Sequence, residues 1–345
     1  MEYRSLGRTG VPVSMLCLGC MNFGGVTQED ESLAIIDRAL DAGINFVDTA
    51  NVYSRGRSEE VVGKALQRNG KRHRVVLATK VHGVMDDDDV LASGNSRRHI
   101  IEQCEASLRR LQTDHIDLYQ IHRPESGTPI DETLRALDDL IHAGKVRYIG
   151  TSSFTSWQVM ESLWAANELG LNRFVSEQPP YHLLDRSIER ELVPMAQTYG
   201  LAILPWSPLA RGFLSGKYQR GQDVPAGSRL ESDGRSSSEA FRKRTARHLS
   251  DQAYQVLDTV EAQAAEKNVS PSQLALAWVA RQPGITSPII GPRTLAHLED
   301  NLGAVSVTFG ADDLTRLDEV SPPEQAIVLY YTGRMMDFKP AQFRW

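Results

Sequence analysis

The amino-acid sequence predicts an α/β chain closed as a (β/α)8 TIM barrel, and three observations carry that prediction. Eight short apolar runs are each followed by a segment with apolar residues at helical spacing. The runs are continuous rather than alternating, as in parallel strands covered on both faces. The first run is not followed by a G-x-G-x-x-G turn, which removes the usual signature of a doubly wound dinucleotide fold.

In chain order, "YRSLGRTGVPVSML" (3–16) reads as an N-terminal β-hairpin placed to cover the barrel floor. The first strand, 15–19, leads to a helix at 30–43 that stops at a glycine. Strand 44–50 precedes helix 58–70, strand 74–80 precedes helix 96–112, and strand 116–122 precedes helix 130–144. Strand 146–153 is followed by helix 156–170, and strand 173–178 by helix 188–200. The seventh strand, 201–207, opens into a long polar loop that includes 218–250, and helix 250–268 follows it. Strand 286–291 and helix 294–304 complete the eight units. No linker or change of composition divides residues 1–345, so one barrel domain is expected.

An apolar fraction of 41% supplies an ample core, and a net charge of −6 gives no sign of a nucleic-acid partner or an anionic membrane surface. No window holds 18 consecutive apolar residues, and "MEYRSLGRTG" lacks the apolar stretch of a signal peptide. A soluble cytoplasmic protein is expected, with oligomeric state open. Cys17, Cys20 and Cys104 read as buried thiols, since "CLGC" has no second Cys/His pair at zinc spacing; no metal is expected. The acidic "MDDDD" (85–89) reads as a solvated loop. The basic "FRKRTARH" (241–248) reads as an exposed helix start, its alternative being a patch that attracts an anionic substrate.

In a barrel of this kind the chemistry sits at the C-terminal ends of the strands. Asp48 ends strand two, Tyr53 follows in its loop, Lys80 ends strand three and His122 ends strand four. Four ionisable groups then converge on one mouth. A nearby ammonium lowers the pKa of a phenol, so Lys80 can activate Tyr53 while Asp48 keeps Lys80 charged. His122 can donate to an oxygen that gains negative charge during the reaction. A proton donor beside an oxyanion site suits carbonyl reduction.

The blocks "NFVDTANVYS", "LATK", "IDLYQIHRP", "GKVRYIGTSSF" and "WSPLARGFLSGKY" together resemble the aldo-keto reductase superfamily over residues 2 to about 320. The segments "SPLARGFLSGKY" and "GPRTLAHLEDN" are similar to the bacterial branch related to potassium-channel β subunits. That resemblance implies a catalytic tetrad of Asp48, Tyr53, Lys80 and His122, with Tyr53 protonating a carbonyl oxygen and NADPH as cofactor. It places Ser152, Ser153 and Gln178 near the nicotinamide carboxamide, with Ser153 standing where the family has asparagine, and stacks Trp206 on the ring. It assigns the backbone and cations of Ser207, Pro208, Leu209, Arg211, Gly212 and Lys217 to a pyrophosphate. It gives the adenosine end to Gly291, Arg293, Thr294, His297, Asp300 and Asn301, where His297 and Asp300 replace glutamine and glutamate. A phosphate is expected at the start of the last of these helices. Met21 and Phe23 are expected around the substrate; the aromatic C-terminal segment (Tyr330, Tyr331, Phe338, Phe343, Trp345) reads as packing across the barrel surface, while the resemblance allows it to form a wall of the substrate pocket. The partner is expected to be a small carbonyl compound. Two other classes fit parts of the pattern: a Schiff-base aldolase with Lys80 as nucleophile and Tyr53 as acid, and a nicotinamide-binding regulatory subunit with little turnover.

Overall fold

A row of eight parallel strands forms the centre of the molecule, in a computed structural model that describes residues 1–235 and 239–330. They are β1 (Cys17–Gly19), β2 (Phe46–Asp48), β3 (Val76–Val81), β4 (Ile116–Ile121), β5 (Val146–Ser152), β6 (Ser176–Gln178), β7 (Ala202–Ile203) and β8 (Ile289–Ile290). From β1 to β7 each pairs in parallel with the next, and β8 pairs with β1. Backbone N–H groups of Thr286 and Ile289 donate to the carbonyls of Ile203 and Pro205, at 2.9 and 2.8 Å, which joins the two ends of the row. The sheet thus curls upon itself, with helices outside, in the (β/α)8 arrangement.

Alternation along the strands divides the core in two. Cys17, Phe46, Ala78, Leu118, Val175 and Ala202 point inward and pack with one another inside the ring. The opposite faces pack under helices that include α1 (Glu29–Asp41), α2 (Arg57–Asn69), α3 (Arg97–Leu111), α4 (Ile130–His142), α5 (Ser156–Leu169) and α6 (Leu192–Tyr199). Strands Tyr3–Ser5 and Pro12–Ser14 form an antiparallel hairpin whose Leu6 and Val13 join the inner cluster. At its turn, Gly7 has φ of 55°, and a Cβ there would lie 2.7 Å from the carbonyl oxygens of both Gly200 and Val175.

The segment after β7 is more ordered than its polarity suggests. Residues 218–250, read as a loop, contain α7 (Arg229–Gly234) and α8 (Glu239–His248), followed by α9 (Asp251–Glu266). Helix α10 (Pro271–Arg281) escapes a periodicity reading because Leu274 to Ala280 are all buried, which erases the polar stripe. Its start is marked all the same by Ser270, whose side chain accepts from the Gln273 N–H, and by Pro271 in the first turn. Helices α11 (Leu295–Gly303) and α12 (Ala311–Val320) end the described barrel. No described helix is long and apolar enough to cross a membrane. Of the C-terminal aromatics only Tyr330 lies within the described residues.

On β6, Glu177 is fully buried between the strand and the turn into α5, where its Oε1 accepts the Phe154 N–H at 3.0 Å. Burial pushes this carboxyl up to about 8.

Two stability predictions follow from these contacts. Gly7→Ala is expected to lower the urea midpoint more than Gly10→Ala, because both glycines have positive φ but only Gly7 is crowded; nothing lies within 4 Å of a Cβ at Gly10. Equal losses would show that the hairpin is not packed tightly against the floor. For Glu177, the folded pKa stands above the unfolded one, so the unfolded chain ionises first as pH rises from 4.5 towards 8. Wild-type stability then falls across that window by up to about 1.4 kcal/mol per pH unit, whereas Glu177→Gln has no proton to lose. The melting temperature of the variant minus that of wild type should climb from pH 5 to pH 8.5, and a constant difference would refute the buried neutral carboxyl.

Candidate active site

The strand ends of the barrel open into a cavity of about 700 Å³. Among the described residues singled out from the sequence for this site, Phe23, Lys80, Ser153, Thr294 and Tyr330 stay off its wall. Its deepest chemistry is built on β2 and β3. Asp48 is the last residue of β2, and Lys80 on β3 is completely buried behind it. The Lys80 ammonium donates to Asp48 Oδ1 at 2.5 Å, to the Thr49 carbonyl at 2.7 Å and towards the Tyr53 hydroxyl at 3.4 Å. An ammonium has three protons, and each has an acceptor. Burial works against the charge on Lys80, but Asp48 and the Tyr53 oxygen outweigh it and hold the pKa above the ordinary lysine value. A Schiff-base nucleophile needs the opposite, a neutral amine open to the cavity.

The second Asp48 oxygen is satisfied as well. It accepts the side-chain amides of Gln120 at 3.1 Å and Gln178 at 3.0 Å, and Gln178 also donates to Gln120 Oε1 at 3.1 Å. Both amide protons of Gln178 therefore point inward, and Oε1 is the atom it can offer to a ligand. Gln120 was not singled out from the sequence, although it precedes His122 by two and so shares its face of β4.

Tyr53 is held by the turn that follows it. Ser54, Arg55 and Gly56 all have positive φ, at 47°, 51° and 92°, and a Cβ on Gly56 would meet the Arg110 side chain at 2.7 Å. Behind the turn, the Ser58 hydroxyl donates to the Cys20 carbonyl at 2.7 Å. Fully buried Glu59 accepts from Thr79 and Arg110, each at 2.6 Å. The His122 ring stands edge-on to the Tyr53 ring, with centroids 5.6 Å apart and planes at 83°. Burial, and then Lys80 and Arg123, push the His122 pKa well below its ordinary value. At neutral pH the imidazole is uncharged, so it can donate one hydrogen bond but carries no acidic proton of an imidazolium.

The wall also includes Ser152, Trp206, Ser207, Pro208, Leu209 and Asn301. Ser152 donates to the Gln178 carbonyl at 3.0 Å. Beside it Ser153, with φ of 65°, is fully buried and accepts from Arg123, so it stands behind the wall. Met21 lines the cavity, but Phe23 turns into the apolar core, its N–H on the Cys20 carbonyl at 3.0 Å.

The two expected phosphate cradles have used most of their own donors. The N–H groups of Ala210, Gly212 and Leu214 bond to carbonyls within their turn, and that of Arg211 to Ser207 Oγ at 2.9 Å. The Arg211 guanidinium pairs with Asp233 on α7. At α11, Thr294 caps its own helix by accepting the His297 N–H at 3.2 Å, and Glu31 takes the Leu295 N–H at 2.7 Å. Asp300 faces the cavity while accepting from Gln273 at 3.0 Å. The cations that remain are on side chains. Lys217 lies across Gly212, where a Cβ would come within 2.8 Å of its ammonium. Arg293 flanks Gly291 and also donates to the Gly227 carbonyl at 3.0 Å. His297 lines the same end, its pKa lowered by burial and then by Lys217 and Arg293.

Arg123, Arg229, Phe241 and Arg244 are cavity residues that sequence reasoning did not place there. Arg229 is pulled down to about 10 by burial and the nearby Arg211 charge. Three of these four lie in the polar stretch after β7, where no strand or helix period marks which residues turn inward. The one sequence signal was the basic run at 241–248, which holds Phe241 and Arg244 but not Arg229.

Comparison with known proteins agrees with this geometry. Residues 15–322 match the profile described as "Aldo/keto reductase family". The chain is 40% identical over 334 residues to "Uncharacterized oxidoreductase YrpG" of Bacillus subtilis (strain 168), covering 93% of this chain and 96% of that protein. It is 38% identical over 311 residues to "Probable voltage-gated potassium channel subunit beta" of Oryza sativa subsp. japonica, covering 89% and 92%. It is also 37% identical over 347 residues to "Versiconal hemiacetal acetate reductase" of Aspergillus parasiticus, covering 94% and 98%. Together the site and these matches show that the chain belongs to the aldo/keto reductase family.

Proposed function

We propose that the protein reduces an aldehyde or ketone to the alcohol with NADPH, Tyr53 supplying the proton. The observation that carries this reading is the Lys80 ammonium held between the Asp48 carboxylate and the Tyr53 hydroxyl, beside a neutral His122. The names of the Bacillus and Aspergillus relatives support an oxidoreductase. The name of the rice relative supports a regulatory role, and a turnover assay separates the two.

The residues present fit a nicotinamide dinucleotide. The cavity has an aromatic wall at Trp206, an amide oxygen at Gln178 and the cations Lys217, Arg229 and Arg293, and its volume is in the range of cofactor sites. When bound, the nicotinamide supplies the hydride. The chain supplies the rest. His122 donates a hydrogen bond to the carbonyl oxygen and polarises it. Tyr53 gives its proton to that oxygen as charge develops. Lys80, already directed at the phenol, stabilises the phenolate left behind, and Asp48 keeps Lys80 charged throughout. Trp206 and Gln178 would hold the ring, and Lys217, Arg229 and Arg293 the phosphates.

Tyr53→Phe deletes only the proton and is expected to reduce kcat more than tenfold, which is about 1.4 kcal/mol of barrier, with NADPH affinity near wild type. Stopped-flow or steady-state loss of NADPH absorbance with a panel of aldehydes measures it. Retention of more than a tenth of kcat would remove Tyr53 from the acid role.

The choice of NADPH rests on Arg293, whose planar fork of donors matches a 2′-phosphate. A charge-assisted contact of about 1.5–3 kcal/mol corresponds to a preference of roughly 10- to 150-fold. Titration should show NADPH bound at least tenfold more tightly than NADH, and Arg293→Ala should weaken NADPH while sparing NADH. Equal weakening of both would mean that Arg293 serves through its bond to Gly227, by ordering the loop.

A further inference from the structure

We propose that Gln120 is a positioning residue that sets which atom the site shows to the carboxamide of a nicotinamide; this rests on the dinucleotide reading argued above. Gln120 stands on β4, in register with Lys80 on β3 and with Gly150 on β5. Its amide has no exposed surface, so its partners must lie inside the barrel. Gly150 makes room for it: a Cβ there would lie 3.3 Å from Gln120 Cγ. The side chain thus reaches over β5 to Gln178 on β6, and past β3 to Asp48 on β2.

The orientation of both amides follows from the fact that a carboxylate oxygen only accepts. Asp48 Oδ2 therefore takes the nitrogen of each glutamine, Gln120 at 3.1 Å and Gln178 at 3.0 Å. Gln120 has its Oε1 left, and this accepts the second proton of Gln178 at 3.1 Å. With its nitrogen engaged twice, Gln178 turns Oε1 to the cavity, where no donor among the described residues meets it. Asp48 by itself holds only one of the two protons. In the wild type a flipped Gln178 sets its oxygen against two others, whereas without Gln120 the amide can turn about its soft last torsion, keep its bond to Asp48 and bring an N–H into the cavity. The main chain does not prevent this, since the Ser152 hydroxyl and the Ser153 N–H, at 3.0 and 3.1 Å, fix only the Gln178 backbone carbonyl. Gln120 therefore decides whether the site accepts or donates at this point. An acceptor there recognises the N–H of a carboxamide and finds no partner in a group that has only a carbonyl.

The test measures, by calorimetry, the Kd of NADP+ and of its acetylpyridine analogue, in which a methyl ketone replaces the carboxamide and the N–H is gone. Wild type should bind NADP+ about tenfold more tightly than the analogue, and Gln120→Leu should cut that ratio by about fivefold. Comparing one ratio between two proteins cancels any intrinsic difference between the two rings. Gln120→Asn, one methylene too short to reach both partners, should also lower the ratio and stands in if Gln120→Leu does not fold. In a Gln178→Leu background, Gln120→Leu should leave the ratio unchanged, because it acts through that amide. A wild-type ratio near one overturns the proposal, as does an equal loss of affinity for both nucleotides in Gln120→Leu, or a further change of the ratio in the Gln178→Leu background. If wild type binds neither nucleotide, the cofactor reading fails by itself. The free protein then decides the role of Gln120: in NMR with isotopically labelled glutamine, the Gln178 side-chain amide, identified by its loss in Gln178→Leu, should exchange with solvent about tenfold faster in Gln120→Leu than in wild type. Equal exchange in the two proteins overturns it.

Discussion

The buried pair of Asp48 and Lys80 sets the terms for everything around the reaction centre. A lysine with no exposed surface keeps its charge only if all three protons are satisfied, and here they are, by a carboxylate, a carbonyl and the Tyr53 hydroxyl. Removing either partner of such a pair costs about 3–5 kcal/mol because a buried charge is left alone. Arrangement and function are thus coupled. The requirement that keeps Lys80 ionised is the same one that aims a proton at the phenol, and the glutamines on β4 and β6 complete the shell by taking the other carboxylate oxygen. The network spans β2, β3, β4 and β6, so curling of the sheet is itself a condition for the site.

The parts of this arrangement that were legible in the sequence are those that the strand periods report. Asp48, Lys80 and His122 end apolar runs, and a polar residue at such a place has few reasons to be there other than chemistry. Gln120 had the same signal in weaker form, as a polar side chain on the inward face of an apolar strand. Helix α10 was illegible for a physical reason: buried on every side, it has no polar stripe, and its Ser270–Pro271 start was the only mark. Arg229 and Arg244 were illegible for a different one. They lie on short polar helices whose inward residues are charged like their outward ones, so burial leaves no trace in the pattern.

Donor accounting shows that, in the proposed cofactor site, charged side chains rather than backbone are left to meet a phosphate. A Gly-rich loop or a helix start binds phosphate only with N–H groups left over. Here the turn after β7 closes on itself through Ala210, Arg211, Gly212 and Leu214, and α11 gives its first donors to Glu31 and Thr294. Sequence motif and available donors are separate properties, and the second is visible only once each bond has been assigned.

Recognition by side chains has a structural consequence. Lys217, Arg229 and Arg293 come from three separate segments, each with its own freedom, and their spacing must be set by something other than a rigid helix. The bond from Arg293 to the Gly227 carbonyl does this, since Gly227 lies two residues before Arg229. Glu231 strengthens the same corner by accepting the Gly227 N–H at 2.7 Å, and Ser228 caps α7 by accepting the Glu231 N–H. The segment carrying Arg229 is thereby tied to the β8 loop across the cavity. In the proposed cofactor site, a phosphate engaging both guanidiniums would reinforce the tie from within, which would couple cofactor binding to the order of the segment after β7.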